Sequence, residues 1–392
     1  MRVVALVLSS LLLSLPLAAA PKKKPAVQGQ AAWPTFKGDN ARTGRAASDL
    51  TTPIQTKWRV RLRKSLYSSP VVVDGKVYLG SSSKRVFCLD LATGKTLWEK
   101  ELPARIWGST PAVDHGRVFV GAVDGCVYSL DAQSGEDVST YCAQNPDFLG
   151  SVDVLSSPLV DEGRLIFGSD NKDIYGWDLA GQRTLWRYST GDILHDNSAS
   201  SMSGTAYMSS RDGVAYALDL ATGALRWKSA KAEKAFNTAP ALDGERAYFS
   251  GGDSLLHVLS QADGHELWRF KTGHIMMSSP ALDGQGHLVV GSGDKSVYAL
   301  NASDGSQVWK FETQEGVLSS PLITGGLVWV GSYDEKLYAL DLATGKEVWS
   351  DKLDGAVFTS PACVGNLVLA AGRDGELACF EATYATPSVS GK

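Results

Sequence analysis

The stretch Tyr338–Trp349, "YALDLATGKEVW", decides the fold, because residues 216–227 read "YALDLATGALRW". Weaker copies read "CLDLATGKTLW", "VLSQADGHELW" and "ALNASDGSQVW". The closing tryptophan recurs at Trp58, Trp98, Trp186, Trp227, Trp268, Trp309 and Trp349, with Ser139 in the one vacant register position. The steps are 40, 41, 47, 41, 41, 41 and 40 residues, the period of a propeller blade. Within one unit, 317–349, the apolar runs "VLSSPLIT", "LVWVGS", "LYALDL" and "EVWSDKL" are separated by "GG", "YDEK" and "ATGK". Runs this short, rich in Val, Leu and aromatics and broken by Gly and Asp, predict four strands per unit and leave no room for an ordinary helix. We label the strands A to D.

The first usable strand, 56–62, is a D strand with nothing before it. The last, 375–382, is a C strand with nothing after it. One blade is therefore divided between the ends of the chain, and pairing the two pieces closes a ring without capping repeats. The predicted fold class is all-β: an eight-bladed propeller of four-stranded antiparallel blades. The repeated dozen residues form a C–D hairpin, with Gly345 free to take positive φ at the turn and Trp349 facing the next blade.

Composition agrees with a folded domain. The 392 residues include 40 glycines and 20% charged residues, with a formal charge of −4. Nothing in that balance favours nucleic acid or an anionic membrane. Residues 1–20 carry one charged side chain, Arg2, an apolar run and a small-residue end, the pattern of an export signal. Pro21 shifts the expected cut to after Ala18 or Ala19, and Lys22, Lys23 and Lys24 after the run keep a retained anchor as the alternative. A linker is read at 21–32, a leader at 33–55, the propeller at 56–382 and a tail at 383–392. The expected location is periplasmic or secreted. Of the five cysteines, Cys126 and Cys142 fall on adjoining strands by register and are the candidate disulfide; the bland alternative is that all five fill the core.

The stretch "ALDLATGKEVW" resembles the tryptophan-docking motif of the PQQ-like β-propeller repeat family, with Ala339, Asp341, Gly345, Lys346 and Trp349 on the motif positions. The resemblance covers residues 33–382, including "WPTFKGDNARTG" at 33–44, which looks like the leader of such propellers. It implies one of two branches. Quinoprotein dehydrogenases bind pyrroloquinoline quinone (PQQ) and Ca²⁺, and their large alcohol-oxidising members carry a disulfide between adjacent cysteines. This chain has no adjacent cysteines and is much shorter. The BamB-like branch is non-catalytic and assists outer-membrane protein assembly by binding a protein partner; the chain has that size but no cysteine after its apolar run to carry a lipid.

Searching for chemistry returns little. The six histidines, His115, His195, His257, His265, His274 and His287, show no zinc spacing. "GKT" at 94–96 occupies a hairpin turn, with Leu89 where a phosphate loop needs glycine. The B–C column Asp124, Asp212, Asp253, Asp294, Asp334 and Asp374 reads as turn formers rather than metal ligands.

Departures from the repeat carry more. The D-to-A connection 143–152 is extended, and long loops are often functional. "GDILHDNSAS" places His195, Asp196, Asn197 and Ser198 where other blades have small hydroxyls. Both departures fall at one end of the channel, beside residues two to four before each strand-A proline. The candidate mouth therefore comprises Tyr67, Trp107, Asp153, Leu155, His195, Asp196, Asn197, Phe236, Asn237, Met277 and Phe358, its aromatic and methionine side chains suited to binding. Among the residues two to four before each proline, Leu66, Trp107, Phe236 and Met276 form a more regular column that reads as packed lining.

The sequence thus favours an exported, monomeric, non-catalytic platform for a protein partner in the cell envelope, with no catalytic residues, metal or cofactor. The runner-up is a PQQ- and calcium-binding oxidoreductase with polar contacts from His195, Asp196, Asn197 and Asp153. A third reading is a glycan- or peptidoglycan-binding propeller using Tyr67, Trp107, Phe236 and Phe358.

Overall fold

A computed structural model describes residues 32–62, 65–144, 149–150 and 152–385. The expected signal and nearly all of the linker lie outside them. Eight sheets of four antiparallel strands follow one another along the chain, the seventh extended by Arg45–Ala46, which pairs in parallel with its A strand. Blade 1 runs through Val71–Val73, Lys76–Ser81, Arg85–Asp90 and Thr96–Glu101. Blade 7 repeats that order with Leu322–Thr324, Leu327–Gly331, Lys336–Asp341 and Glu347–Lys352. In the described residues no helix is long and apolar enough to cross a membrane.

Closure uses the chain ends. Blade 8 takes its A to C strands from Ala362–Val364, Leu367–Ala371 and Glu376–Tyr384, and its D strand is Leu50–Arg61 from the beginning of the chain. Trp58 pairs with Cys379 and Val60 with Leu377. The D strand begins at Leu50 rather than at Thr56, so part of the expected leader belongs to blade 8. Both extra lengths pair with each other, Leu50 with Tyr384 and Ile54 with Ala382. The ring therefore has no free A-to-D edge to propagate.

The repeated motif has a direct physical cause. Six of the docked tryptophans pack over the turn glycine of the following blade: a Cβ on Gly345 would lie 2.6 Å from Trp309, and one on Gly223 2.5 Å from Trp186; Trp349, facing the split blade 8, packs on Phe380 instead. The glycine is required twice, because φ is +71° at Gly345 and +70° at Gly223. The indole N–H donates to a carbonyl beside that turn, Trp58 to Leu91, Trp227 to Gln261 and Trp309 to Leu342, at 2.7 to 2.9 Å. Each such bond adds about 1 kcal/mol to the apolar burial. Asp90 and Asp341 hold the same turns by accepting from the N–H of Thr93 and Thr344.

Blade 3 shows the converse. Its turn has Gln182 at the glycine position, in the left-handed region at φ 49°, and the residue that would dock there is Ser139. With no indole above it, the turn tolerates a side chain.

The B–C aspartates serve the fold. Asp212 accepts from Val214 N–H and from the Tyr216 hydroxyl, and Asp124, Asp294 and Asp334 accept from Tyr128, Tyr298 and Tyr338. In blade 5 His257 takes the tyrosine position, held between Asp253 at 3.0 Å and Glu266 at 2.9 Å. Cys126 and Cys142, directly opposite on the C and D strands of blade 2, form a disulfide. Cys88, Cys363 and Cys379 are buried thiols.

Candidate functional site: the channel mouth

Strand A lines the channel, and the segment entering it repeats as an apolar plug, a channel-facing residue, two hydroxyl residues and proline. The first hydroxyl of each pair folds back to its own blade. Ser68 accepts from Gly80 N–H, Ser109 from Gly121 N–H, Ser278 from Gly291 N–H and Thr359 from Ala371 N–H. The second links blade to blade. Ser69 N–H donates to Thr110, Thr110 N–H to Ser157 and Ser157 N–H to Ser198. Across the ring, Ser279 N–H donates to Ser320, Ser320 N–H to Ser360, and Ser360 N–H to Ser69. This belt satisfies backbone donors that the channel would otherwise bury unpaired. Ala239 stands in the belt position of blade 5 without a hydroxyl.

The leader closes the channel from below. Its backbone joins strand A of successive blades: Pro34 O accepts from Val113, Asn40 O from Ser201, Ala41 O from Leu242, Thr43 O from Leu282 and Gly44 O from Ile323. Arg42 is fully buried, donating to Ala199 O, Pro158 O, Phe36 O and the Thr35 hydroxyl. Lys37, also buried, donates to Ser279 O and Pro280 O. Burial, against the pull of Asp39, pushes Lys37 down to about 7 and Arg42 down to about 9. Above this floor remains a narrow pocket of about 80 Å³ with Phe36 at its base.

Seen from the mouth, blades 2 and 4 differ from the rest. The plug residues are Leu66, Ile106, Val154, Leu194, Phe236, Met276, Val317 and Val357, all at most 2% exposed. Counting forward to strand A, blades 2 and 4 carry one additional residue, so Trp107 and His195 are extruded above the regular path. The residue after each takes positive φ, +83° at Gly108 and +59° at Asp196. The bulges meet over blade 3, where a Cβ on Gly108 would lie 2.9 Å from Asp196 Oδ1.

This insertion corrects the sequence reading. Ile106, not Trp107, is the plug of blade 2; Trp107 is 39% exposed and stacks on Tyr67 with centroids 4.3 Å apart. Phe236, placed at the mouth by its spacing from proline, is instead a core plug at 2% exposure, packed against Phe249 and His257. Asn197 is also withdrawn: it holds the hydroxyl position of blade 4, is fully buried, and neither its Oδ1 nor its Nδ2 has a partner. Counting hydroxyls, rather than residues before proline, would have exposed the insertion in "IWGSTP".

The other candidates divide between two neighbouring hollows. Tyr67, Leu155, Asp196, Asn237, Met277 and Phe358 line the channel pocket. Trp107, Asp153, Leu155 and His195 line a separate cleft of about 480 Å³ with Arg105 and Val123. An aromatic arc runs from Tyr333 through Phe358 and Tyr67 to Trp107, successive rings 6.3, 6.1 and 4.3 Å apart. Opposite, His195 Nδ1 lies 3.0 Å from Asp170 Oδ2. That hydrogen bond raises the His195 pKa against desolvation, with Asp196 adding to the rise. Burial raises Asp196 itself, opposed by His195 and Arg211. Residues 145–148 and 151 of the extended connection lie outside the described residues.

The family model described as "Outer membrane protein assembly factor BamB" matches residues 52–192, 170–280 and 252–384. The chain belongs to the BamB family. No curated protein matches the sequence. Among solved structures, this BamB-family chain is similar to quinohemoprotein alcohol dehydrogenase from Comamonas testosteroni, with TM-score 0.78, 16% identity, and coverage of 92% of this chain and 82% of that one. BamB from Moraxella catarrhalis superposes with TM-score 0.70 at 18% identity, covering 86% of this chain and 99% of that one. A europium-containing methanol dehydrogenase gives 0.75 at 14% identity, covering 90% and 98%. At such identities the likeness is one of fold, which these proteins put to different uses.

Proposed function

We propose that this BamB-family propeller is an exported, non-catalytic platform that docks an envelope protein on its channel mouth, in outer-membrane protein assembly or envelope organisation. The observation that carries this reading is the aromatic arc Tyr333, Phe358, Tyr67 and Trp107 lying across a channel plugged from below by Arg42 and Lys37. A shallow rim of aromatic side chains over a closed floor offers rigid apolar area to another protein's surface.

A PQQ and calcium site fits these residues poorly. The channel pocket, about 80 Å³, is far below the roughly 300–1,000 Å³ of typical small-molecule sites. Asp170 is buried against His195, which leaves Asp196 in the channel pocket and Asp153 in the neighbouring cleft, one carboxylate each for an ion that takes about six to eight oxygen ligands. Among the described residues no group of three His, Cys, Asp or Glu side chains could hold a metal ion. The one disulfide among them, Cys126–Cys142, joins residues far apart in sequence on the C and D strands of blade 2.

The test is affinity capture from envelope extract with the wild-type chain and a Phe358→Ala/Tyr333→Ala variant, matched for thermal midpoint. The platform reading expects specific partners recovered by the wild type and lost from the variant. Equal recovery by both refutes this choice of face.

A further inference from the structure

We propose that the cleft between Trp107 and His195 binds a neutral sugar ring. This goes beyond the protein-docking reading and uses a neighbouring part of the mouth.

Its first support is construction. The two single-residue insertions fall in blades 2 and 4, the blades flanking the cleft, and both extruded side chains line it. Asp196, next to one of them, holds a left-handed backbone without being glycine. Elsewhere in the blades non-glycine residues such as Asp74, Lys84 and Glu335 take positive φ in the turns between strands; at Asp196 the same conformation lies in a segment entering strand A, where it accompanies the inserted residue and does not serve stacking. The walls are also rigid. Arg105 O accepts from Val123 N–H at 3.0 Å and Asp153 O from Asp170 N–H at 2.9 Å, and Trp107 is backed by Tyr67. Pre-formed walls reduce the ordering cost of binding a small molecule.

The second support is chemistry. A sugar ring presents an apolar C–H face and a rim of hydroxyls that both donate and accept. The cleft supplies one partly exposed indole for the face. Around it stand donor groups, Arg105 and His195, and an acceptor group, Asp153. Charge decides against the alternatives. An anionic ligand gains from Arg105 and protonated His195 but meets Asp153, Asp170 and Asp196; a cationic ligand meets the reverse, with Arg211 also near Asp196. Opposed charges on facing walls leave little net attraction for either sign, whereas a neutral polyol uses both. The volume, about 480 Å³, lies within the roughly 300–1,000 Å³ range of small-ligand clefts.

Calorimetric titration of the full chain with cellobiose, maltose and N,N′-diacetylchitobiose, beside glucuronate and glucosamine as charged controls, tests the proposal. Saturable binding of at least one neutral disaccharide is expected, tighter than either charged sugar. Trp107→Ala should weaken it roughly tenfold or more, and Trp107→Phe should retain most of it, because stacking needs an aromatic face. Val123→Trp, which fills the cleft from another wall, should also abolish binding and serves if Trp107→Ala does not fold. Phe358→Ala should leave it unchanged, which separates this site from the protein-docking face. The proposal is overturned by no saturation with any neutral disaccharide up to about 10 mM. It is equally overturned by tighter binding of a charged sugar, or by binding that survives both cleft variants.

Discussion

Blades 7 and 8 follow the repeat through their entrance segments, with Val317 and Val357 as plugs and Ser320 and Ser360 in the belt. Blades 2 to 5 break it repeatedly: two insertions, an asparagine at a hydroxyl position, an alanine in the belt, and a turn with glutamine for glycine. The regular half shows what stacking demands. Whatever the irregular half gives up must be compensated elsewhere or used for something other than stacking. Substitutions that exchange the two rules measure the difference.

The largest effect is expected at the floor both halves share. Arg42→Ala leaves the carbonyls of Ala199, Phe36 and Pro158 without this donor and should cost about 3–5 kcal/mol, at roughly 1–3 kcal/mol for each buried acceptor left unpaired; denaturant midpoints measure it. Lys37 adds a pH signature. Its folded pKa, about 7, lies below the ordinary 10.5. Between those values the unfolded chain holds a proton that the folded one lacks, so stability should rise with pH above about 7. Lys37→Met should flatten that rise in thermal melts collected from neutral to mildly alkaline pH.

Next come the docking turns, where one column should give opposite signs in the two halves. Gly345→Ala forces a Cβ to within 2.6 Å of Trp309 at positive φ and should cost about 2–4 kcal/mol. Gln182→Gly, under Ser139, relieves the left-handed backbone and should stabilise by about 0.5–1 kcal/mol. If both substitutions destabilise equally, the link between tryptophan and glycine is wrong.

The fold was legible because stacking imposes the same demands on each blade, so period, turn and docked tryptophan recur in the sequence. Half of the exception was read there too, Ser139 at the vacant tryptophan position, while its counterpart Gln182 at the turn came from the structure. The site was less legible, for the same reason. A single inserted residue changes which side chain points inward without altering composition, so Trp107 and Phe236 were read alike, in the mouth and in the packed column, although Phe236 is packed and Trp107 extruded. Counting hydroxyls would have flagged the insertion beside Ile106, but the stacking of Trp107 on Tyr67 shows only in the structure. The floor was hidden differently: "FKGDNARTG" reads as a polar leader, and nothing local says that its Lys37 and Arg42 end fully covered by blade carbonyls.

A smaller effect is expected from restoring the repeat inside the irregular half. Asn197→Ser replaces a buried amide with two unpartnered atoms by the hydroxyl that serves other blades. Ala239→Ser supplies an acceptor for Ser198 N–H in the belt. Each should stabilise by about 1 kcal/mol, additively only in part, since the two belong to neighbouring belt positions. A loss of stability in Asn197→Ser would mean that the amide holds a partner, such as an ordered water, that a hydroxyl cannot replace.

The smallest effect belongs to His195. Its pKa is raised by the hydrogen bond to Asp170 and by Asp196, so the folded state holds the proton more tightly than the unfolded one. The resulting stabilisation is fully present below the ordinary histidine pKa of about 6.5 and is lost as pH rises through the folded value. The ring is 30% exposed, and solvent screening should keep the contribution below about 1 kcal/mol. His195→Gln should therefore remove part of a shallow decline in thermal midpoint between mildly acidic and mildly alkaline pH, leaving His257 and the exposed His115, whose pKa Asp114 raises, as sources of the same trend. For His257 burial pulls the other way, but Asp253 and Glu266 outweigh it. A His195→Gln/His257→Gln double variant that keeps the full decline would show that neither carboxylate-bound histidine carries it, and the polar side of the mouth would then be held by geometry rather than by charge.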